Sequence, residues 1–246
     1  MTVAGWDQSA QAWLDEQGDH GDWSRRFILD RVMLDRVRAA APKTALDVGC
    51  GEGRFCRILA AEGIAARGIE PTRRLREEAV RRDPKGTYLD AMAEDLPFPD
   101  ASFDMVIAYL TLIDIDGYRE AIAEMARVLT PGGHLLIANL NSFNTANAHH
   151  TWIETDKGRL YPIDHYLEAR KEDVAWRDMA IQNWHRPLCD YMQALLQTGL
   201  ILTFFDEPAP QGYPETDEPR ADRNRRVPYF VVMEWQKPSG PQHDAV

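Results

Sequence analysis

Three glycines at alternate positions follow a short apolar stretch, and they are the residues of this chain best suited to bind a ligand through the backbone. Residues 45–55 read Ala-Leu-Asp-Val-Gly-Cys-Gly-Glu-Gly-Arg-Phe. Glycine adopts positive φ readily and has no Cβ, so Gly49, Gly51 and Gly53 let a ligand lie against the main chain. A helix beginning near Gly53 directs unpaired N–H groups at the same place. The pattern predicts a strand, a ligand-binding loop and a helix.

The spacing of these glycines distinguishes between two kinds of cofactor loop. The dinucleotide fingerprint has a third glycine three residues after the second. That position is Arg54 here, and Gly53 comes one residue too early. The spacing therefore disfavours a nicotinamide-dependent oxidoreductase, which would share the strand, the loop and an acidic ribose ligand.

An acidic residue stands where such a ribose ligand is needed. Glu70 follows Gly49 by 21 residues and ends a predicted second strand over residues 66–70. At that position a carboxylate accepts hydrogen bonds from both hydroxyls of a bound ribose. The alternative interpretation is a solvated carboxylate at the end of a strand.

Strands and helices alternate over the first 140 residues or so. Apolar and helical patterns predict strands at 45–48, 66–70, 87–89, 103–109 and 134–139, and helices at 54–62, 72–82 and 118–129. Such alternation implies parallel strands joined by right-handed crossovers. The sequence therefore predicts an α/β fold with a doubly wound sheet.

The alternation lapses after Asn141 and resumes at His185. This segment is too long for a plain connection inside a compact domain, so residues 141–185 are predicted to form a lid insertion. A helix at 190–197 and strands at 200–205 and 227–235 follow, the two strands joined by a proline-rich loop that suits an antiparallel pair. The whole chain, 1–246, is expected to be one domain, with a helical cap at 1–40 and a flexible tail at 238–246.

Composition excludes several classes of partner. The formal charge of −11 opposes broad binding to phosphate backbones, so nucleic acid is not expected as a partner. Apolar runs are too short to cross a bilayer, and the first residues lack the features of a signal peptide. Cys50, Cys56 and Cys189 form no CxxC pair. We therefore expect a cytoplasmic protein without a membrane anchor.

Several motifs together resemble one enzyme family. They are the glycine loop after Asp47, the stretch 103–106 (Phe-Asp-Met-Val), the stretch 125–135 (Met-Ala-Arg-Val-Leu-Thr-Pro-Gly-Gly-His-Leu) and the stretch 185–188 (His-Arg-Pro-Leu). The chain resembles class I S-adenosylmethionine (SAM)-dependent methyltransferases, specifically the small-molecule enzymes related to those of ubiquinone and menaquinone biosynthesis. The resemblance implies a Rossmann-like, mostly parallel seven-stranded sheet with an antiparallel last strand, and methyl transfer from SAM to a small organic acceptor.

The resemblance also implies positions for the parts of the cofactor. Asp47 would lie close to the methionine part, Asp95 would meet the adenine amino group, and Leu96 would pack on the adenine ring. The full set of expected cofactor-binding residues is Asp47, Gly49, Cys50, Gly51, Gly53, Arg54, Phe55, Glu70, Pro71, Glu94, Asp95, Leu96, Tyr109 and Arg26.

The N-terminal segment offers aromatic side chains beside a pair of arginines. Trp6, Trp13 and Trp23 precede or flank Arg25 and Arg26. Such a segment can close over the cofactor, with the rings stacking on it and an arginine, here Arg26, pairing with its carboxylate. An amphipathic cap with both arginines in solvent fits the sequence equally well.

The acceptor side of the site is less specific. Related enzymes often carry a histidine shortly after the fourth strand, where this chain has Tyr109, so the general base stays open among His150, His165, His185, Asp114 and Tyr109. Tyr109 and His185 are the first choices for catalysis. Residues expected to contact the acceptor are Trp152, His165, Tyr166, Trp184 and His185. No histidine or cysteine spacing suggests a metal.

Two alternatives keep the cofactor but change the function. In the first, the chain is a SAM-binding module without transfer activity. In the second, it is an enzyme that uses SAM for another alkyl transfer or an internal cyclisation. A nucleic-acid methyltransferase is disfavoured by the acidic charge and by the lack of an Asn/Asp-Pro-Pro-aromatic motif after the fourth strand. The expected oligomeric state is a monomer or a homodimer.

Overall fold

The computed structural model describes residues 5–147, 151–176 and 178–240. Its main feature is a sheet built from seven strands: β1 (Thr44–Val48), β2 (Ala65–Ile69), β3 (Thr87–Leu89), β4 (Phe103–Tyr109), β5 (Leu129–Leu140), β10 (Ile201–Asp206) and β11 (Phe230–Gln236). The helices that connect or cover them are α1 (Trp6–Gln17), α2 (Asp30–Ala40), α3 (Arg54–Ala61), α4 (Arg73–Arg82), α5 (Tyr118–Val128) and α7 (Leu188–Gln197).

The strand order is β10-β11-β5-β4-β1-β2-β3. Strands β1 to β5 are parallel, and β11 runs antiparallel to both β5 and β10. The predicted seven-stranded, mostly parallel sheet with an antiparallel last strand is therefore confirmed. Successive strands are added on one side of β1 up to β3 and on its other side from β4 onward, and open α/β sheets bind ligands at the carboxyl ends of the strands at such a switch point.

Both faces of the sheet are buried. Along β4, Val106 and Ala108 pack with residues of α5 and α7, whereas Met105 and Ile107 pack with residues of α2 and α3. Side chains of a strand alternate between the two faces, so a strand covered on both sides needs apolar residues at consecutive positions. This explains the apolar run in β4, and it gives the site a rigid base.

The segment after β5 contains short elements that stay outside the main sheet. They are α6 (Ser142–Thr145), the hairpin of β6 (Ile153–Thr155) and β7 (Gly158–Leu160), and the hairpin of β8 (Arg170–Trp176) and β9 (Met179–His185). His150 lies outside the described residues. Within the described part of the chain, no helix has the length and apolar character to cross a membrane.

The connection before β11 differs from the predicted loop. It contains a short 3-10 turn and a helix, α8 (Glu218–Arg226). The prolines suggested a loop, but Pro219 stands in the first turn of α8, where its missing N–H costs no hydrogen bond. Of the expected tail, residues 238–240 are described and residues 241–246 lie outside the described part.

The N-terminal region is helical over the residues described. It comprises α1, a π-helical turn (Arg25–Leu29) and α2. Helix α1 packs on β9, where the Ser9 hydroxyl donates to the Ala180 carbonyl at 2.9 Å and accepts from the Ala180 N–H at 3.0 Å. We call α1 and the β8–β9 hairpin together the roof, because they cover the carboxyl ends of the strands.

Candidate active site

A cavity of about 710 Å³ opens between the carboxyl ends of the parallel strands and the roof. Its floor is formed by the loop after β1, the end of β2, residues 91–94 and residues 109–116, and its ceiling by α1, Arg25 and the β8–β9 hairpin. A smaller recess, about 40 Å³, continues behind the glycine loop. The two spaces share Gly49, Gly51, Trp13, Arg25 and Tyr109 as lining residues.

The glycine loop needs glycine at each of its three positions. Gly49, Gly51 and Gly53 have φ of 71°, 56° and 74°. A Cβ on Gly49 would lie 2.4 Å from the Thr111 methyl carbon, and one on Gly51 would lie 2.9 Å from the Trp13 ring. Gly49 and Gly51 line the cavity, whereas Gly53 precedes α3 and contacts Tyr88 instead.

The turn after β4 supports this loop. Leu110 has φ of 60°, a left-handed conformation that is rare for a leucine. The turn brings Thr111 against the loop, where its hydroxyl donates to the Val48 carbonyl at 2.9 Å. Both residues line the cavity. Neither Leu110 nor Thr111 was predicted to line the site, because no residue type in the sequence signals a strained turn at a leucine.

Glu70 lies in the cavity wall at the end of β2. Its side chain is buried; Oε2 accepts the Gly51 N–H at 2.9 Å and Oε1 accepts the Thr72 N–H at 2.8 Å. Burial raises the pKa of this carboxyl above its usual range, although the two backbone donors oppose the shift. The Thr72 side chain also hydrogen-bonds to this carboxyl group, and because a carboxylate has about four lone-pair sites it can still accept from a ligand hydroxyl. Pro71 lines the same wall.

Asp47 has a buried carboxylate that is only half satisfied. It is 1% exposed and lines the recess, and burial raises its pKa to about 7. The Cys56 thiol lies 3.6 Å from Oδ2, while Oδ1 has no hydrogen-bond partner among the described residues. Buried polar atoms are normally paired, so an unpaired carboxylate oxygen facing a recess indicates a donor group on a ligand. Other residues predicted for the cofactor that line the recess are Cys50, Arg54 and Phe55.

Only one of the two neighbouring arginines faces the site, and it is Arg25. Its guanidinium pairs with Asp22 and lies over the rings of Trp13 and Tyr109, at 5.7 and 5.6 Å. Arg26, the predicted carboxylate partner, is exposed and lies over Phe27. Successive residues of a helix point about 100° apart, so the two side chains face different surroundings.

The segment before β4 presents one of its three predicted cofactor-binding residues to the cavity, together with three that were not predicted. Glu94 lines the cavity together with Ala91, Met92 and Ala93. Asp95 is exposed and Leu96 is buried in the core, so neither lines the cavity. The backbone of Leu96 explains this shift, because its N–H donates to Glu124 and its carbonyl accepts from Arg127, which hold it against α5.

Tyr109 lines the cavity, but its hydroxyl is engaged elsewhere. It donates to Asp30 Oδ1 at 2.9 Å, and the ring packs edge-on against Phe55. Burial, with the Asp30 carboxylate beside it, raises the pKa of Tyr109 well above its ordinary value. Tyr109 therefore serves as a wall of the site and is unsuited to act as a general base near neutral pH.

His185 does not reach the cavity. It is fully buried behind the hairpin, with Nδ1 2.7 Å from the Thr145 hydroxyl and Nε2 2.9 Å from the Tyr166 carbonyl. A carbonyl only accepts, so Nε2 carries the proton and Nδ1 accepts from Thr145. Burial lowers the pKa of His185 and favours this neutral form. The predicted catalytic role is incompatible with this position, because strand alternation turns Trp184 toward the cavity and His185 away.

The other predicted acceptor contacts also lie away from the cavity. Trp152 packs against Tyr161, with ring centroids 5.2 Å apart. His165 is exposed and pairs with Glu168 at 2.9 Å. Tyr166 packs on Phe143. These residues belong to the part of the insertion before β8, whereas Trp184 belongs to the roof.

Several residues of the acceptor side had weak or no sequence signals. Trp6, Asp7 and Gln8 of α1 line the cavity, and so do Lys171, Asp173 and Gln182 of the hairpin. Asp114, one of the candidate bases, lines it as well; it accepts from the Asn183 amide at 2.5 Å and from the Trp6 side chain. Burial raises the pKa of Asp114 to about 8. Across the described ranges, no three His, Cys, Asp or Glu side chains are grouped to hold a metal ion.

Comparison with known proteins agrees with this architecture. A family described as a methyltransferase domain matches residues 46–137. The O-methyltransferase resE of Aspergillus sclerotiorum is 38% identical over 46% of this chain and 45% of its own length. The malonyl-[acyl-carrier protein] O-methyltransferase of Enterobacter lignolyticus is 27% identical over 72% of this chain and 70% of its own.

A solved structure extends the similarity to most of the chain. The SAM-dependent methyltransferase of Mesorhizobium loti superposes with a TM-score of 0.74 at 25% identity, covering 82% of this chain and 96% of that one. The chain spans about half the length of the first curated relatives it matches. The chain therefore contains a methyltransferase domain over residues 46–137, and most of its length is similar to a solved SAM-dependent methyltransferase.

Proposed function

We propose that the protein transfers a methyl group from SAM to a small organic acceptor, at an oxygen, nitrogen or carbon atom. The observation that carries this proposal is the roofed cavity, in which the glycine loop and the buried Glu70 carboxyl group line one space together with aromatic and polar side chains of the roof. Cofactor and acceptor would lie side by side there. A similar protein, the demethylmenaquinone methyltransferase of Tropheryma whipplei, is named for a small-molecule acceptor and supports this class of acceptor.

The residues present fit SAM. The α-ammonium group would meet the unpaired Asp47 Oδ1, and the carboxylate would meet Arg25. Glu70 would accept from the ribose hydroxyls, and Met92 and Glu94 would border the adenine. Any Cβ at Gly49 or Gly51 would narrow the cradle that holds the chain of the cofactor.

SAM supplies a methyl group on a sulfonium, which is reactive enough that the protein needs mainly to position the acceptor and exclude water. The roof performs the second task. Helix α1 and the hairpin close over the cavity from opposite sides, and the paired hydrogen bonds of Ser9 with Ala180 join them. Tyr109 and Trp6 provide walls against which an acceptor can be oriented.

Ligand binding and turnover together test the proposal. Mass spectrometry of the purified protein is expected to detect bound SAM or S-adenosylhomocysteine (SAH), and calorimetry to show binding of both but not of NAD. A screen of small metabolites should yield SAH with at least one acceptor. Tighter binding of NAD than of SAH would contradict the cofactor, and binding without turnover of any small molecule would favour the inactive module or another SAM-consuming reaction.

The two neighbouring arginines provide a matched pair of variants. Arg25→Ala is expected to weaken SAH binding by about tenfold or more, because a charge-assisted hydrogen bond contributes about 1.5–3 kcal/mol. Arg26→Ala removes the same charge one residue later and is expected to leave the affinity unchanged. Calorimetry with SAH distinguishes them. Equal losses in both variants would mean that general electrostatics, and not a direct contact, is responsible.

We propose that only the β8–β9 part of the predicted lid covers the acceptor. The expected result in hydrogen exchange is slower exchange in β8 and β9 when SAH is added, with no change in β6 and β7, which do not line the cavity. Maximal protection of β8 and β9 already without ligand would instead indicate a rigid insertion.

Charge suggests the remaining partners. With a formal charge of −11 the protein is a poor ligand for nucleic acid, and we propose a cytoplasmic protein that acts as a monomer or a homodimer.

A further inference from the structure

The acceptor side of the cavity carries an excess of acidic side chains. The ionisable side chains that line it, apart from those assigned to the cofactor above, are four carboxylates and one ammonium: Asp7, Asp114, Asp116, Asp173 and Lys171. Lys171 is already held by Asp116, with Nζ and Oδ2 2.8 Å apart. It therefore neutralises Asp116 and leaves the Asp114 carboxyl group for a ligand.

Asp114 is the best placed of these carboxylates. It follows β4, where it lies beneath the roof, and it is held by two neutral donors, the Asn183 amide at 2.5 Å and the Trp6 side chain. Neutral donors orient a carboxylate without cancelling its charge. Burial raises the pKa of Asp114 to about 8, and a cation bound beside it would offset this shift and favour the carboxylate form.

The aromatic walls suit a compact organic cation. The Lys171 ammonium lies 5.0 Å and the Arg186 guanidinium 4.4 Å from the centroid of the Trp184 ring, so this ring already contacts two cations. Trp6 lines the same cavity beside Asp114 and contacts Trp13 edge-on at 6.1 Å. Aromatic rings attract cations as well as apolar groups, so the Trp6 ring and the Asp114 carboxyl group that it hydrogen-bonds form one stretch of the cavity wall that suits a cation.

We propose that the acceptor is a small amine that binds as an ammonium ion, with Asp114 as its counter-ion and proton acceptor. This inference rests on the proposed function and narrows its acceptor class. It also separates the protein from relatives that are named O-methyltransferases.

The transfer balances with the groups at hand. The ammonium gives one proton to the Asp114 carboxylate, and the neutral nitrogen then uses its lone pair to form the new N–C bond. The C–S bond breaks with its electron pair going to sulfur, which leaves SAH and a methylated ammonium. Burial brings the pKa of Asp114 to about 8, closer to that of an alkylamine than an ordinary carboxyl, and so makes the proton transfer less unfavourable.

Matched ligands test this inference directly. Calorimetry on the protein saturated with SAH would compare phenylethylamine, phenylethanol and phenylpropanoate, followed by smaller alkylamines with their matching alcohols and acids. At least one amine is expected to bind about tenfold or more tightly than its alcohol, and the acids are expected to bind weakest. If no amine binds more tightly than its matching alcohol, the inference is wrong.

Variants locate the effect. Asp114→Asn is expected to lower amine affinity by about tenfold or more, with little effect on the alcohol. Asp164→Asn removes the same charge at an 89% exposed position and is expected to change neither. Asp173→Asn, at the exposed rim of the cavity, gives a second measurement if Asp114→Asn is unstable, with a smaller loss expected. Equal amine binding by Asp114→Asn and the wild type would overturn the role of Asp114.

SAH binding distinguishes a failure of the proposed function from a failure of the amine inference alone. If SAH does not bind to the wild type, the proposed function fails. If SAH binds and a neutral alcohol or phenol is methylated in preference to every amine, the proposed function stands and only the amine inference fails.

Discussion

Gly49→Ala is expected to abolish measurable SAH binding. The new Cβ would lie 2.4 Å from the Thr111 methyl carbon, a separation that real Cβ atoms do not show, so the loop or the turn after β4 must move. The left-handed conformation at φ of 71° adds a penalty of about 1–2 kcal/mol for a residue with a Cβ. Calorimetry with SAH measures the loss of affinity, and thermal unfolding measures the loss of stability.

Gly63→Ala is the matched control for this variant. Gly63 also has a left-handed φ, 82°, but no atom lies within 4 Å of the position its Cβ would take. It is expected to lose similar stability from the backbone conformation while keeping wild-type SAH affinity. Wild-type affinity in Gly49→Ala would show that the loop does not carry the cofactor.

Glu70→Ala is expected to weaken SAH binding by about 10- to 150-fold, which corresponds to the roughly 1.5–3 kcal/mol of hydrogen bonds to a charged group. The variant loses the ribose contact and also leaves the N–H groups of Gly51 and Thr72 without their acceptor. Unpaired buried donors cost about 1–3 kcal/mol each, so the free energy of unfolding should fall as well. Calorimetry and urea unfolding measure the two effects.

Glu77→Ala controls for the loss of a carboxylate nearby. Glu77 stands on the exposed side of α4, with its side chain 60% exposed and paired with Arg73. It is expected to change neither affinity nor stability by more than about 0.5 kcal/mol. A Glu70→Ala variant with the same SAH affinity as Glu77→Ala would mean that the nucleoside does not lie at the end of β2.

The part of the site that depends on local pattern was predictable from sequence. Gly49 and Gly51 follow a buried strand and precede a helix, and Glu70 ends the next strand, so chain order alone brings them to one edge of the sheet. Each has a residue type that its position requires. The predicted fold followed from the same regular alternation.

The rest of the site depends on which way individual side chains turn. Arg25 and Arg26 have the same chemistry, and only the helical geometry decides that Arg25 enters the cavity. Trp184 and His185 are adjacent on β9, and alternation sends them to opposite sides. The direction in which each of these side chains faces was not predictable from the sequence, because neither element carries a regular apolar stripe that fixes its orientation.

The contribution of the N-terminal helix α1 to the cavity was not predictable from the sequence for a different reason. Its contribution comes from contact with β9, and Ser9 and Ala180 are separated by 171 positions in the chain. No local pattern links two residues so far apart. The roofed side of the cavity, unlike the glycine loop, is therefore a product of tertiary contact.

The glycine loop and the roof come from different parts of the chain, and this has a consequence for how acceptor preference can differ between related proteins. The family match covers residues 46–137, which include the glycine loop and Glu70, whereas both halves of the roof lie outside it. Under the proposed function, the roofed part of the acceptor wall can then change while the glycine loop and Glu70 stay as they are. Since Ser9 and Ala180 join the two halves, replacing α1 alone with that of a relative would break their fit, and a transplanted specificity requires the helix and the hairpin to be exchanged together.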